Sequence, residues 1–244
     1  MIKCVLTGHS RGIGAALARA LLQQGIAVLG LARHAQDNPQ PATSAPFREV
    51  GLDFSDTQAV LAWCDSGELA EFFADAEVAL LINNAGVLAP VGKLALQSPE
   101  AVMRAININV ATPLMLASAF VRSTPGVQDR RIVHVSSGAA RQAYSGWSVY
   151  GATKAALDQH ARAVAEDALP RLKICSLAPG VVDTDMQAEV RNSPEASFPL
   201  RGRFHNLWEA GQLRSPEAVA QQMVAYVLSE SFGENPVADL RRLS

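Results

Sequence analysis

The sequence predicts a single α/β domain, residues 1–244, in which helices cover both faces of a doubly wound parallel sheet. Three observations predict this three-layer α/β/α class. Short apolar runs rich in β-branched residues alternate with amphipathic stretches, 49% of the chain is hydrophobic, and no internal repeat or domain boundary is visible. Strands that alternate with helices favour parallel βαβ units with right-handed crossovers.

The elements follow from this alternation. The predicted strands are Ile2–Leu6, Ala27–Leu31, Phe47–Gly51, Val78–Ile82, Arg131–Val135 and Lys173–Leu177. The predicted helices are Ile13–Gln24, Thr57–Ala74, Pro99–Arg122 and Val149–Ala168. Nearly continuous apolar strands of this kind are typical of a sheet that is buried on both faces.

Two proline-containing segments interrupt the pattern. Ala35–Pro46 is predicted to be a loop where many such folds have a helix. Asp183–Phe204 is predicted to be irregular, and the helical stretch Phe204–Leu213 follows it. Because this second region comes after the sixth strand, we expect residues 183–213 to cover a substrate.

Composition excludes several functional classes. A net charge of −2 without a lysine- or arginine-rich tract argues against nucleic acid and against an anionic membrane surface. No apolar run approaches the roughly 20 residues of a membrane span. The three cysteines share no metal-ligand spacing, so no metal is expected, and they favour a reducing compartment. Since Met1–Thr7 is predicted to be a strand and not a leader, we expect a cytoplasmic protein.

A glycine-rich loop after the first strand predicts nucleotide binding on a dinucleotide-binding (Rossmann-like) fold. Glycines permit the tight turn, the approach of a pyrophosphate and close helix packing, and the helix N-terminus offers free N–H groups. A glycine-rich turn without a ligand is the alternative. The predicted contacts of the loop are Gly8, Ser10, Arg11, Gly12, Ile13 and Gly14.

Charge at the end of the second strand favours NADP(H). Leu31-Ala32-Arg33-His34 has no acidic residue to bind a ribose 2′-hydroxyl, whereas Arg33 offers a guanidinium to a 2′-phosphate, and Arg11 could reach it too. Both arginines could instead be solvated surface charges. Asp53 is placed to accept from the adenine amine, or is an ordinary turn or N-cap residue.

Tyr150 and Lys154 are four residues apart and would lie on one face of a helix. A free tyrosine has a pKa of about 10, and a nearby ammonium and a nicotinamide cation would lower it. Tyr150 would then protonate a carbonyl oxygen as hydride arrives, or remove a hydroxyl proton in oxidation.

These motifs together resemble the short-chain dehydrogenase/reductase family: the glycine loop, Asn83-Asn84-Ala85-Gly86, the serine pair Ser136-Ser137, and Tyr150 with Lys154. The resemblance runs from Ile2 to about Met186. It implies a catalytic tetrad of Asn109, Ser137, Tyr150 and Lys154. Asn109 would hold a water relay and is preferred to Asn107, Ser137 would bind the substrate oxygen, and Ser136 would be structural. A core amide and an N-cap are the alternatives for Asn109 and Ser137.

The resemblance also implies further contacts and partners. Cofactor contacts are expected from Asn83, Ala85, Gly86, Tyr150, Lys154, Pro179, Gly180, Val182 and Thr184. A homodimer or homotetramer would form through the helices that contain Asn109 and Tyr150.

The later half resembles sepiapterin reductases and bacterial benzil or diketone reductases, through Tyr144–Tyr150, Thr184–Gln187 and Phe204–Leu213. With Ser137 and Tyr150, the side chains of Tyr144 and Trp147 are the predicted substrate contacts and favour an aryl or conjugated carbonyl. Pterin recognition in sepiapterin reductases depends on an acidic residue near the C-terminus, for which Asp239 is the candidate here.

The sequence thus predicts an NADPH-dependent reductase of a ketone, diketone or related carbonyl. Three alternatives stay open: a sepiapterin reductase, an epimerase or dehydratase on the same fold, and a non-catalytic NADP(H)-binding sensor. The complete tetrad argues against the sensor, because a sensor needs no proton donor.

Overall fold

The computed structural model describes residues 1–34 and 45–243, and it confirms the predicted fold class. The strands are β1 (Ile2–Thr7), β2 (Ala27–Ala32), β3 (Phe47–Gly51), β4 (Val78–Asn83), β5 (Asp129–Val135), β6 (Leu172–Ala178) and β7 (Val237–Asp239). All are parallel and lie in the order β3-β2-β1-β4-β5-β6-β7. The loop predicted at Ala35–Pro46 falls, up to residue 44, outside the described residues.

The helices lie on both faces of this sheet. They are α1 (Gly12–Gln23), α2 (Thr57–Cys64), α3 (Glu68–Phe73), α4 (Pro99–Ile106), α5 (Thr112–Ser123), α6 (Ser148–Glu166), α7 (Asp185–Asn192), α8 (Arg201–Glu209) and α9 (Pro216–Leu228). Side-chain oxygens of Asp56, Ser98, Thr184 and Ser215 cap the N-termini of α2, α4, α7 and α9. Each of these caps satisfies a backbone N–H that the helix itself leaves free.

Alternation along the strands divides the core between the two faces. In β1, Cys4 and Leu6 pack with α1 and α9, whereas Val5 packs with the opposite layer that contains α2, α3 and α5. Both faces are therefore apolar, as expected for a parallel sheet that is covered on each side.

Three predicted elements differ from the structure. Thr57–Ala74 is two helices, because Gly67 adopts a left-handed φ of +85° and starts α3. Asp183–Phe204 is not wholly irregular, since the capping side chain of Thr184 starts α7 within it. The last predicted helix begins earlier, at Arg201, and α9 and β7 extend the fold beyond the predicted elements.

The helical stretch Pro99–Ser123 contains a π-helical segment, Asn107–Ala111, between α4 and α5. By length and hydropathy alone this stretch qualifies as a membrane span, but half of its most apolar window is buried inside the fold, as in a core helix. Extra residues in a π turn rotate the side chains that follow, and such turns often occur at functional sites.

The strand order sets the position of the ligand site. The chain runs outward from β1 to β2 and β3, and then returns to the other side of β1 with β4. Parallel sheets bind ligands outside the carboxyl ends of the strands, at the point where the order reverses. The glycine loop follows β1 and Asn84 follows β4, so both lie at that point.

Candidate functional site

A cleft of about 570 Å³ opens at the carboxyl edge of the sheet and collects most of the predicted site residues. Predicted residues that line it are Gly8, Ser10, Arg11, Gly12, Ile13, Gly14, Arg33, Asp53, Ala85, Gly86, Ser137, Tyr144, Trp147, Tyr150, Lys154, Pro179, Gly180, Val182 and Thr184. Asn83 and Asn109 are not part of the lining.

The glycines of the first loop fit a close backbone cradle. Gly8 and Gly12 have left-handed φ angles of +67° and +54°. A Cβ atom on Gly14 would lie 1.9 Å from the carbonyl oxygen of Gly8, so no other residue fits there. Arg11 provides no side-chain cap for α1, which leaves the first N–H groups of the helix available to an anion.

The loop after β4 holds this cradle in place. The hydroxyl oxygen of Thr7 accepts from the backbone N–H groups of Asn84 and Ala85, both at 3.0 Å. The Asn84 amide donates to the carbonyl oxygens of Thr7 and Gly8 at 3.0 and 3.1 Å. Asn84, which sequence reasoning did not assign, therefore joins the two loops that follow neighbouring strands.

Positive charge is concentrated at the end of the cleft near β2. Arg33 is exposed and lines this end, where His34 and Asp53 also lie. The Asp53 carboxylate accepts from the backbone N–H and the hydroxyl of Ser55 at 2.9 and 2.8 Å. The backbone hydrogen bond is the main reason that the pKa of Asp53 is lowered, and Arg33 adds to it. Asp53 is thus both a turn residue and part of the lining.

The side chain of Asn83, which is predicted to bind cofactor, is buried and points away from the cleft. As the last residue of β4 it faces α5, like Leu81 and Ala79 two and four positions earlier. Its amide lies 3.3 Å from the carbonyl oxygen of Pro113 and 3.2 Å from Nδ1 of His134. The pKa of His134 is lowered to about 3, chiefly because the ring is buried.

Tyr150 and Ser137 form the reactive end of the cleft. Tyr150 lies in the first turn of α6, and Ser137, which follows β5, lines the same cleft. Burial raises the pKa of Tyr150, and the nearby Ser137 hydroxyl offsets only part of this rise. The predicted lowering of this pKa depends also on a nicotinamide cation, so it stays a prediction for the complex with coenzyme. Ser137 also accepts from the backbone N–H of Ala139 at 3.2 Å, as an N-cap does.

Lys154 lies one turn after Tyr150 and is buried. Its ammonium donates to the carbonyl oxygen of Val135 at 2.8 Å and lies 5.9 Å from the centre of the Tyr150 ring. Burial lowers the pKa of Lys154 to about 8, while the Asp158 carboxylate acts to raise it. The group is therefore a cation at neutral pH and loses its charge under mildly alkaline conditions.

Asn109 lies behind Lys154 and not in the lining. Its amide accepts from the N–H of Val87 at 2.9 Å and donates to the carbonyl oxygen of the same residue at 2.8 Å. A Cβ atom on Gly86 would lie 3.4 Å from Asn109 Oδ1 and 3.5 Å from Lys154 Nζ, so both polar groups flank this glycine. The π-helical segment brings Asn109 inward, whereas Asn107 faces Ser55.

Asp158 is a buried residue that sequence reasoning missed. Its carboxylate accepts from Ser136 at 2.6 Å, from Ser176 at 2.7 Å and from the Arg141 guanidinium at 2.9 Å. Ser136 therefore has a structural role next to Ser137, as the resemblance implied. The spacing of Lys154 and Asp158 by four residues was a signal that could have found this carboxylate.

Aromatic rings form the wall beside Tyr150. Trp147 stacks on Phe198 with 4.6 Å between ring centres and meets Tyr150 edge-on at 5.5 Å. Tyr144 packs against Trp147 at 5.3 Å, and Phe204 of α8 packs against both. Trp147 thus belongs to a small core and also lines the cleft.

The segment after β6 closes the cleft opposite Tyr150. Gly180 has a φ of +87°, and a Cβ atom there would lie 3.0 Å from Cδ of Arg241. The methyl group of Thr184 lies 3.4 Å from where a Cβ on Gly12 would be, so the end of this segment reaches the glycine loop. Pro179 and Val182 complete this side of the lining.

The C-terminal segment presents a cation to the cleft. Asp239 is buried, and its two carboxylate oxygens accept from Arg241 at 2.9 and 2.6 Å. Arg241 lines the cleft and Asp239 does not. Other lining residues that the sequence did not assign include Leu88, Gln142, Met186, Gln187, Arg203, Phe204 and Leu207. In residues 1–34 and 45–243, no group of three or more potential ligands is arranged to hold a metal.

Comparison with known proteins identifies a family and similar relatives for this chain. A family model described as short chain dehydrogenase matches residues 3–195. A benzil reductase ((S)-benzoin forming) of Bacillus cereus is 32% identical, with 96% of each chain covered. A sepiapterin reductase of Xenopus laevis is 31% identical, with 95% of this chain and 92% of that protein covered. A crystal structure of a short-chain dehydrogenase/reductase from Burkholderia vietnamiensis is 46% identical, covers 100% of this chain and 98% of its own, and superposes with a TM-score of 0.72.

Proposed function

The chain belongs to the short-chain dehydrogenase family of oxidoreductases, and from that premise we propose that it is an NADPH-dependent carbonyl reductase. The substrate would be a ketone, a diketone or a related carbonyl that is reduced to an alcohol. One observation carries this proposal: Tyr150 lines one cleft together with Ser137 and the buried Lys154 one turn away, and the same cleft is lined by the glycines at the N-terminus of α1.

The residues present fit a nicotinamide coenzyme. The Gly14 position admits no Cβ, and α1 begins with uncapped N–H groups, which suits a pyrophosphate held by backbone atoms. Arg33 and Arg11 would hold the 2′-phosphate that distinguishes NADPH from NADH. When bound, this coenzyme supplies the hydride. The protein supplies binding, orientation and the proton.

Tyr150 would donate the proton. Because burial keeps its pKa high, the phenol carries its proton at neutral pH and can deliver it to a carbonyl oxygen that Ser137 also contacts. The phenolate that forms would then be stabilised by the Lys154 ammonium, which is charged below pH 8. Asn109 would position the Val87 backbone behind Lys154, on the expected path of a water relay.

An aryl or conjugated diketone suits the substrate end best. The wall formed by Tyr144, Trp147 and Phe204 offers flat apolar surface next to the proton donor, and aromatic surfaces bind planar ligands by offset or edge contacts. The benzil reductase among the relatives is named for such a diketone. We propose that α7 and α8, within residues 183–213, cover this substrate.

Sepiapterin is the second candidate, because a relative with 31% identity carries that name. Two observations argue against it. First, both carboxylate oxygens of Asp239 accept hydrogen bonds from Arg241. Second, the residue of the C-terminal segment that lines the cleft is Arg241 itself, and arginine has no acceptor for the N–H groups of a pterin.

The proposal is tested by following the oxidation of NADPH with purified protein and a panel containing benzil, monoketones and sepiapterin, with NADH in parallel. Reduction of benzil to benzoin with preference for NADPH is the expected result. Protein that leaves all 1,2-diketones untouched while it reduces sepiapterin would show that the substrate is a pterin.

We also propose a homodimer or homotetramer in the cytoplasm. Leu94, Leu96 and Met103, on or just before α4, are 80%, 74% and 66% exposed, and Ile106 at the end of this helix is 40% exposed. Apolar surface of this kind is costly in water and favours association. Light scattering after gel filtration measures the mass directly: a multiple of 25.9 kDa is expected, and a monomer at micromolar concentration would contradict it.

A further inference from the structure

We propose that the substrate carries a carboxylate on the side of its carbonyl that points away from the coenzyme, and that Arg203 and Arg241 bind this group. The inference rests on the proposed function and narrows its substrate class, from carbonyl compounds in general to aryl carbonyl acids. It is derived from the position, the pairing and the chemistry of charged groups around the cleft.

Arg203 lines the cleft and belongs to the helix that provides Phe204 of the aromatic wall. It belongs to α8 and is exposed, and its neighbour Phe204 packs 5.4 Å from Trp147 and 6.4 Å from Tyr144. Leu207, one turn further on, also lines the cleft. A ligand lying along the aromatic wall with its carbonyl at Tyr150 would therefore extend toward Arg203.

Arg241 lines the same cleft, next to the segment that follows β6. Its side chain passes over Gly180, where a Cβ atom would lie only 3.0 Å from Arg241 Cδ. Asp239 fixes the guanidinium through two hydrogen bonds, and Asp239 itself is buried. The remaining donors of Arg241 are held at the lining without further hydrogen bonds to the described part of the chain.

The carboxylates of the lining lie at the other end of the cleft. Within residues 1–34 and 45–243 they are Asp53 and Asp185. Asp53 follows β3 and is bonded to Ser55, while Asp185 lies 3.6 Å from Arg11 of the glycine loop. Arg203 has no side-chain hydrogen bond or ion pair with any of these described residues. Of the two arginines, Arg241 is paired with Asp239, whereas Arg203 carries a positive charge that no described carboxylate balances.

A planar guanidinium matches a carboxylate in geometry, since its parallel N–H groups donate to both oxygens. A neutral diketone would leave Arg203 solvated and unused, whereas an aryl acid would place its ring on the aromatic wall and its charge between the two arginines. This arrangement also discriminates against ligands that offer only donors, because arginine cannot accept a hydrogen bond.

The test compares the binding of 4-carboxybenzil with that of its uncharged carboxamide to the NADP⁺ complex, by calorimetry at low and at moderate salt. The unmodified protein is expected to bind the carboxylate about fivefold or more tightly than the carboxamide, with the preference weakened by salt. Arg203→Gln should remove most of this preference. Arg201→Gln is the matched control, because Arg201 lies in the same helix, pairs with Glu195 at 3.6 Å and is not in the lining.

Arg241→Gln should also reduce the preference. Arg203→Gln keeps the test valid if the buried Asp239, which loses its partner in Arg241→Gln, disturbs folding. Equal binding of both ligands by the unmodified protein, or a preference that survives in both variants, would overturn the inference. Turnover with NADPH is measured separately. Absence of turnover together with a preference that depends on Arg203 would overturn the proposed reductase and leave the anion site standing.

Discussion

The two ends of the cleft are built from different parts of the chain. At the coenzyme end, backbone atoms dominate: neighbouring atoms leave no room for a side chain at Gly8 and Gly14, and Gly12 has a left-handed φ. At the substrate end, side chains dominate: Tyr144, Trp147 and Phe204 form the wall.

Substrate specificity therefore depends on the side chains of the wall, and coenzyme binding depends on the backbone of the loop. A backbone cradle recognises a ligand part that is the same for a whole family, such as a pyrophosphate, and tolerates almost no substitution. A wall of side chains can change with each substitution while the fold is retained.

Tyr150→Phe, at the junction of the two ends, should lower kcat for reduction about a thousandfold, because a positioned proton donor is lost. The aromatic contacts with Trp147 are retained, so binding of NADPH should change little. Single-turnover oxidation of NADPH and a separate fluorescence titration measure the two effects. Turnover that persists in this variant would assign the proton donor to another group.

Gly14→Ala should weaken NADPH binding by at least about a hundredfold, because the new Cβ would overlap the carbonyl oxygen of Gly8 at 1.9 Å and displace the loop. Its control is Gly202→Ala in α8, where no atom lies within 4 Å of an added Cβ. Calorimetric titration of both variants, with circular dichroism to verify folding, gives the comparison. Normal binding by Gly14→Ala would contradict a backbone cradle.

Arg33→Asp should reverse the coenzyme preference, lowering the ratio of kcat/KM with NADPH to that with NADH by roughly thirtyfold, since a charge-assisted contact becomes a repulsion. Arg48→Ala in β3 is the control, because Arg48 pairs with Glu68 on the surface and does not line the cleft. A ratio that is unchanged in Arg33→Asp would mean that this arginine is only a solvated charge.

Asp158→Asn should shift the alkaline limb of the pH profile of kcat by up to about one pH unit. The limb is expected because Lys154, with a pKa of about 8, is charged below that pH and loses its charge as the pH rises through it. Asp158 raises this pKa, so its removal should move the limb to lower pH. Ser176→Ala, which removes one hydrogen bond and keeps the carboxylate, should leave the limb in place. If the alkaline limb does not move in Asp158→Asn, then the limb does not report the titration of Lys154.

Much of the fold could be predicted from sequence because local patterns determine it. The alternation of Cys4, Val5 and Leu6 between the two faces of β1 is visible in the apolar run itself. The break before α3 was missed, although Asp65-Ser66-Gly67 is a turn-like triplet, because an apolar period continues on both sides of it.

The candidate site was predictable where the residues that form a contact lie close together in the sequence as a motif. The glycine loop and the pair of Tyr150 and Lys154 are of this kind. Sequence alone did not show which asparagine side chain of the Asn83-Asn84 pair faces the glycine loop, because a shift of one residue turns a strand side chain to the opposite face. Arg203 could not be found, since its place at the cleft depends on how α7 and α8 fold back, which no local spacing encodes.

The central claim is that the Tyr150 phenol exchanges its proton with the substrate oxygen. A crystal structure of the complex with NADP⁺ and benzoin tests it most directly. The alcohol oxygen is predicted to lie about 2.7 Å from both Tyr150 Oη and Ser137 Oγ, with the carbinol carbon facing C4 of the nicotinamide. An alcohol oxygen that instead contacts a different acid, with the phenol turned away from the nicotinamide, would contradict the account.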